Sequence, residues 1–292
     1  MFFTTELVVL LAVISSALGA SMSALMKNES EKFSALKTSY MVIAFALVFL
    51  TPYVAYRIYS SGFSYDLVSL ASATLAGVFG TGKVWAGVRS FQEIDFSVAQ
   101  PIKKVSPLFV VFGELIFLSL DLSYILLSGV FLTVSGSYIL MIDSSDLLRP
   151  FRNLADKGVQ LAVLSAVFSA LGALSIRFAS GVMPEYGVTY FWYIANLTGF
   201  LLLLKYREEV PSLDFYKNRN FLAAGFLSSI TGVLSVFLYS VASSVSLVTA
   251  VFQSSVIFSV LIGGKIFQEK KIWIRLLGAI IIVAGIIILS QV

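Results

Sequence analysis

Gln100, Lys103, Lys104 and Glu114 place an amide, two ammonium groups and a carboxylate within fifteen residues of a mostly apolar stretch. On a helix of about 100° per residue, Lys103 and Glu114 fall within about 20° of each other and about 16 Å apart along the axis. Gln100 and Pro107 flank that stripe, and Lys104 turns about 100° away. Pro107 has no N–H, so the carbonyl near Lys103 loses its usual donor. A charge inside an apolar span costs a few kcal/mol or more and by default marks a pathway or binding site. Gln100, Lys103 and Glu114 therefore predict one face, carrying an amide, an ammonium and a carboxylate, that lines a central cavity. The alternative for Lys103 and Lys104 is a position near a helix end, with the ammonium groups snorkelling to the headgroups. Glu114 reads either as a proton carrier, because burial raises a carboxyl pKa, or as a counter-ion to lysine, which lowers it.

Other polar residues join the candidate set. Lys83 closes "GVFGTGKV", which has the G-x-x-x-x-G-K spacing of a phosphate-binding loop. That loop needs Ser or Thr after the lysine and a strand–loop–helix in water. Val84 follows instead, inside an apolar span, so the glycines read as close helix packing and Lys83 as a further cavity cation. Trp192, Asn196 and Gly199 share a face at i, i+4 and i+7, and aromatic walls with one amide suit a ligand pocket. Trp85 is a similar candidate, and core packing is the competing reading for both tryptophans. Gln253, in "TAVFQSS", is a candidate binding amide or an interhelical hydrogen-bonding group. Arg177, close to a span end, is expected to snorkel. Of the sequons at Asn28 and Asn196, the second is intramembrane and unusable.

These residues must be positioned by membrane helices. The chain has 292 residues, 58% hydrophobic and 12% charged, with a mean hydropathy of +0.94. A soluble domain carries about twice that charge fraction. Apolar runs of about 20 residues, enough to cross a hydrocarbon core of roughly 30 Å, recur from end to end. With no histidine and no cysteine, no metal, haem or iron–sulfur cofactor is expected, and a Ser-His-Asp triad or HExxH protease is impossible. The net charge of +4 does not point to nucleic acid, because the basic residues sit in short connections. The first span lacks a basic n-region and an A-x-A site, so it reads as a retained helix.

The hydropathy predicts ten spans: 6–26, 38–57, 66–88, 97–119, 123–142, 159–180, 186–205, 220–241, 246–267 and 272–291. "DSSDLLRPFRNLADKG" and "YREEVPSLDFYKNRN" are the longest connectors. The string "SALGA" occurs at Ser16–Ala20 and again at Ser169–Ala173. Gly129 and Gly136 recur 149 positions later as Gly278 and Gly285. The same offset pairs Ser97 with Ser246, Ser106 with Ser255, Phe109 with Phe258, Val134 with Val283 and Lys104 with Gln253. Collinear matches of this kind indicate a five-plus-five duplication. An odd span count per half makes the second half enter from the opposite side, and inverted repeats are the geometric basis of alternating access.

The segment "SLVTAVFQSSVIFSVLIGGKIFQEKKIWIRLLGAIIIVAGIIIL" resembles the last two helices of EamA-type transporters in the drug/metabolite transporter superfamily. Glu269, Gly278 and Gly285 fall where that family places its turn glutamate and paired glycines. "SVAQPIKKVSPLFVVFGELIFLS" resembles the matching first-half helix, with Pro107 at the family's usual proline. The turn glutamate has no first-half counterpart, since Leu120 occupies that position beside Asp121. Lys103 and Lys104 are closer to the anion-handling, sugar-phosphate branch of the superfamily. The resemblance implies an all-α integral membrane protein of ten transmembrane helices in two inverted five-helix repeats, 1–143 and 159–292, joined by 144–158.

The expected function is a secondary active transporter in the plasma membrane, moving a small polar metabolite such as an amino acid, organic acid or sugar phosphate, with anionic cargo favoured. A channel-like facilitator is the alternative. An intramembrane enzyme would need paired aspartates or a Ser/Lys dyad, and no Asp lies mid-span, so the chain is not expected to be an enzyme. Expected partners are a small-molecule substrate and membrane lipid, and a homodimer is compatible with the sequence. Of the seventeen Lys and Arg residues in or near the connections, odd-numbered connections take fifteen and even-numbered ones take Arg57 and Arg177. The positive-inside rule then puts the odd-numbered connections in the cytoplasm and both termini outside. The resemblance implies both termini inside.

Overall fold

Ser34, Asp66, Asp156, Asn218 and Ser244 each precede an apolar run, and each side chain accepts a backbone N–H of the first helical turn. Such caps satisfy donors that a helix start leaves without partners. In the computed structural model the described residues are 4–30, 32–94, 99, 102–118, 123–141, 155–209, 218–258, 261 and 272–291. Among them are ten α-helices and no β-strand. They are α1 (Thr5–Ser30), α2 (Ala35–Ser61), α3 (Leu67–Glu93), α4 (Ser106–Phe117), α5 (Tyr124–Met141), α6 (Lys157–Ala179), α7 (Glu185–Tyr206), α8 (Arg219–Val241), α9 (Val245–Val251) and α10 (Ile272–Leu289). α1 to α3 and α6 to α8 are long and apolar enough to cross a membrane. The fourth, fifth, ninth and tenth positions hold shorter apolar helices.

Two stretches depart from the expected spans. Residues 97–119 do not form one helix: Lys104 and Val105 form a turn, and α4 starts at Ser106. Pro107 is the cause, because its ring cannot donate to the carbonyl four residues back but fits the first turn of a new helix. The ninth span changes character after Val251, where Phe252–Ser254 is a 3₁₀ turn before residues 255–258 resume the α-helix.

Helix packing repeats with a period of five elements. α3 packs on α6 and α7, and α8 packs on α1 and α2. α4 packs on α6, and α9 on α1. α2 meets α7, α4 meets α9, and α5 meets α10. Exchanging every helix for the one five places along returns the same set. The α5–α10 contact is made by the repeated glycines. A Cβ built on Gly129 would lie 3.1 Å from the Gly285 carbonyl oxygen, and one on Gly136 would lie 2.7 Å from that of Gly278. Position rises along α5 as it falls along α10, so these two equivalent helices run antiparallel. Backbones this close leave no room for a side chain, which is how small residues let membrane helices pack.

Contacts between described residues near the helix ends gather at two ends of the bundle. At one end Glu29 accepts from the Asn218 and Asn220 amides at 2.6 and 2.7 Å. There Ser34 donates to Glu209, and Lys157 pairs with Glu93 at 2.7 Å. At the other end Arg57 pairs with Glu185 at 3.4 Å, Tyr186 donates to the Gly62 carbonyl, and Ser64 donates to that of Val182. Gly62 ends α2 at φ 75°, a left-handed conformation that glycine adopts without steric cost.

Candidate functional site

Pro107 breaks the approach to α4 next to the two lysines. Lys103 lies in the helical turn before the break, and its ammonium lies against α3 at Gly87. A Cβ on Gly87 would be 2.8 Å from Lys103 Nζ and 3.2 Å from Ser165 Oγ of α6. Ser165 Oγ itself donates to the Lys83 carbonyl at 2.8 Å. Three elements thus meet where α3 has no side chain.

Lys83 sits on the same arc of α3. Ala76 and Ser90, seven residues to either side, are 1% and 0% exposed, and Gly87 is buried. Lys83 between them is exposed. Lys83 is thus the exposed position on a stripe otherwise turned to the core. The ammonium groups of Lys83, Lys103 and Lys104 lie within electrostatic reach of one another. Gln100, expected beside them, lies outside the described residues.

Glu114 does not face this cluster. Its buried carboxylate accepts the backbone N–H groups of Val245 and Ser246 at 2.5 and 2.9 Å, capping the N-terminus of α9. The expectation that Lys103 and Glu114 share one helical stripe fails with the break at Lys104. A carboxylate at a helix N-terminus is stabilised by N–H donors and the helix dipole. The structure therefore gives Glu114 an anchoring contact instead of a lysine partner.

The second-half counterpart of the Lys104 turn is the 3₁₀ turn of α9, because Lys104 and Gln253 are 149 positions apart. Gln253 is 5% and Ser254 2% exposed, and Ser254 Oγ has no hydrogen-bond partner. The two halves are thus interrupted at equivalent positions, one interruption basic and the other neutral.

The remaining candidates divide. Asn196 is buried, and its amide oxygen accepts from Thr81 Oγ1 at 3.0 Å, which ties α7 to α3. Gly77 meets Ala195, Trp192 and Asn196, and Gly80 meets the Asn196 amide, so "GVFGTGK" is a packing stripe within α3. Trp192 packs in this α3–α7 contact, its ring 5.0 Å from that of Tyr193. Trp85 shares an arc with the exposed Thr74 and Val78, on the outer side of α3 and away from Lys83. Arg177 does not snorkel: its guanidinium donates to the Tyr239 and Ser240 carbonyls at 2.6 Å each. These carbonyls end α8 and lack helical donors, so they hold the partly buried arginine against α8. Glu269, Leu120 and Asp121 lie outside the described residues.

Residues 6–142 and, again, 156–291 match the EamA-like transporter family. The chain belongs to that family. As an EamA-like chain it is a membrane transporter of the drug/metabolite type. The two matches divide the EamA-like sequence as the packing exchange divides its helices. No curated protein matches the chain. One solved structure, described only as a crystal structure of protein, resembles it with a TM-score of 0.75 at 12% identity, covering 97% of this chain and 94% of its own. That likeness concerns the fold alone.

Ser165 and Ser254 were absent from the sequence-derived candidates. Ser254 has a signal in retrospect, since it follows Gln253 and is offset by 149 from Val105 in the first break. Ser165 has none, because small polar residues are common in membrane helices and only the fold brings it to Gly87.

Proposed function

We propose that this EamA-like chain is a secondary carrier that moves a small anionic metabolite across the plasma membrane by alternating access. In this reading the ten helices all cross the membrane, as two inverted repeats, 1–143 and 159–292, joined by 144–158. The antiparallel contact of α5 with α10 supports the inversion, since a two-fold axis relating antiparallel helices lies perpendicular to them. Inverted repeats supply two conformations of opposite openness around one central site.

The observation that carries the anionic reading is the cluster of Lys83, Lys103 and Lys104 at the first helix break. Lysines at membrane depth need water, a carboxylate or an anionic ligand to compensate them. Glu114, the acidic residue of the same segment, is engaged by two backbone N–H groups instead. The basic cluster then favours a carboxylate or phosphate on the cargo. Trp192 and Asn196 line the α3–α7 contact next to this site. The excess of basic residues at the odd-connection end favours placing that end in the cytoplasm.

Purified protein in liposomes preloaded with unlabelled amino acids, organic acids or sugar phosphates tests this reading. Labelled anion should accumulate by counterflow and saturate with concentration. Flux of anions that neither saturates nor shows counterflow would assign a channel-like facilitator instead.

A further inference from the structure

The two helix breaks lie at one level of the bundle. Glu114, near the end of α4, holds Val245 at the start of α9, and the two helices run in opposite directions. Nine residues back from Glu114 is Val105, in the basic break, and nine residues on from Val245 is Ser254, in the neutral one. At a rise of about 1.5 Å per residue the two interruptions are equally deep, about 13 Å from the shared cap. The second is chemically distinct. From Val245 to Phe258 the chain carries no charged residue, yet Gln253 and Ser254 are buried there.

Neighbouring polar groups on α9 have partners, and these do not. Thr249 Oγ1 donates to the Val245 carbonyl at 2.8 Å, and Ser246 Oγ donates to Ser244. Ser254 Oγ has no partner, and among the described residues the Gln253 amide makes no hydrogen bond. Burying an amide or a hydroxyl without a partner is costly, so a group from outside the protein has a place there. The Gln253 amide and the Ser254 hydroxyl both donate and accept. A ligand hydroxyl matches that pattern. A second carboxylate does not, because it only accepts and would bring a charge to a segment without a cation.

We infer that the α9 break is a second, neutral subsite, and that the cargo is a hydroxylated anion held with its charged group at Lys103 and Lys104 and a hydroxyl at Gln253 and Ser254. This rests on the anionic reading above and narrows it. Anions with an unsubstituted apolar tail, and dianions with two separated charges, fit less well, because each leaves one subsite mismatched.

The test is calorimetric titration of the detergent-purified full chain with two matched pairs, glycerol 3-phosphate against propyl phosphate and glycerate against propionate. In one pair or both, the hydroxylated member should bind at least about tenfold more tightly. Ser254→Ala and Gln253→Ala should bring the pair within about threefold by weakening the hydroxylated member alone. Lys104→Gln should weaken both members alike. Equal binding of hydroxylated and deoxy anions by the wild-type chain overturns the subsite and leaves the anionic reading standing. A hydroxyl preference that survives in both α9 variants overturns it as well. Binding of none of the four overturns the anionic reading and the subsite with it.

Discussion

Glu114 and Arg177 hold opposite sides of a single turn. Arg177, from α6, donates to the last carbonyls of α8 at Tyr239 and Ser240. Glu114, from α4, accepts the first N–H groups of α9 at Val245 and Ser246. Between them runs the short connection through Ala242, Ser243 and Ser244. Each charge meets the helix end whose dipole it complements, so the α8–α9 corner is pinned to two other helices.

The first prediction concerns stability. Glu114→Gln and Arg177→Gln each replace charge-assisted hydrogen bonds at a helix end, at a cost of about 1.5–3 kcal/mol. Both should lower the unfolding midpoint of the detergent-purified protein, and Arg177→Gln should leave cargo affinity near wild type. A wild-type midpoint in either variant would contradict the pinned corner.

The second concerns the helix pair between the repeats. Gly136→Ala puts a Cβ 2.7 Å from the Gly278 carbonyl oxygen, closer than contact allows, and should cost about 1–3 kcal/mol through forced separation of α5 and α10. Gly172→Ala meets nothing nearer than 3.8 Å and is the control. Equal thermal stability of the two variants would show that the glycine contact is not close.

Much of this pairing is readable in the amino-acid sequence. The offset of 149 relates Gly129 to Gly278 and Gly136 to Gly285, and the fold packs these same glycines on each other. The division into ten apolar segments follows from hydropathy alone. The break at Lys104 is half-legible: Pro107 announces a lost donor, but periodicity carries a helix straight through it. The roles of Glu114 and Arg177 are not legible. Their partners are backbone groups 131 and 62 residues away, and any sequence offers backbone. A charged side chain in an apolar span signals that it has a partner without saying which. The fold also separates Trp85 from Lys83, two residues apart in sequence but on different arcs of α3.

The third prediction fixes orientation, and it uses the absence of cysteine from the chain. Lys32→Cys lies at the basic end and Ser61→Cys at the other, and both positions are exposed. With the basic end in the cytoplasm, an impermeant maleimide should label Ser61→Cys in intact cells and Lys32→Cys only after permeabilisation. The reverse pattern would contradict the charge-based orientation.

The fourth is a pH dependence at the basic end. Burial pushes the Glu29 carboxyl up, but hydrogen bonds from Asn220 and Asn218 and the Lys32 charge outweigh it, leaving the pKa below its ordinary 4.5. A carboxyl lowered by folding stabilises the folded state above its unfolded pKa, and that contribution is lost as pH falls through the folded value. The unfolding midpoint should therefore drop on acidification below about pH 4.5, and Glu29→Gln should make that decline shallower. An identical acid decline in the variant would remove Glu29 from the account.

The central claim is that lysines at the first helix break bind an anionic cargo. Its most direct measurement is the affinity of a transported anion for the wild-type chain, Lys103→Gln and Lys104→Gln. Loss of one charge-assisted hydrogen bond is worth about 1.5–3 kcal/mol, or about tenfold to a hundredfold in affinity. The account predicts a loss of that size in at least one lysine variant, with expression and thermal stability little changed. Gln253→Ala should lose less, because it removes a neutral partner. Wild-type affinity in both lysine variants would contradict the claim and leave the basic pair as an interfacial anchor.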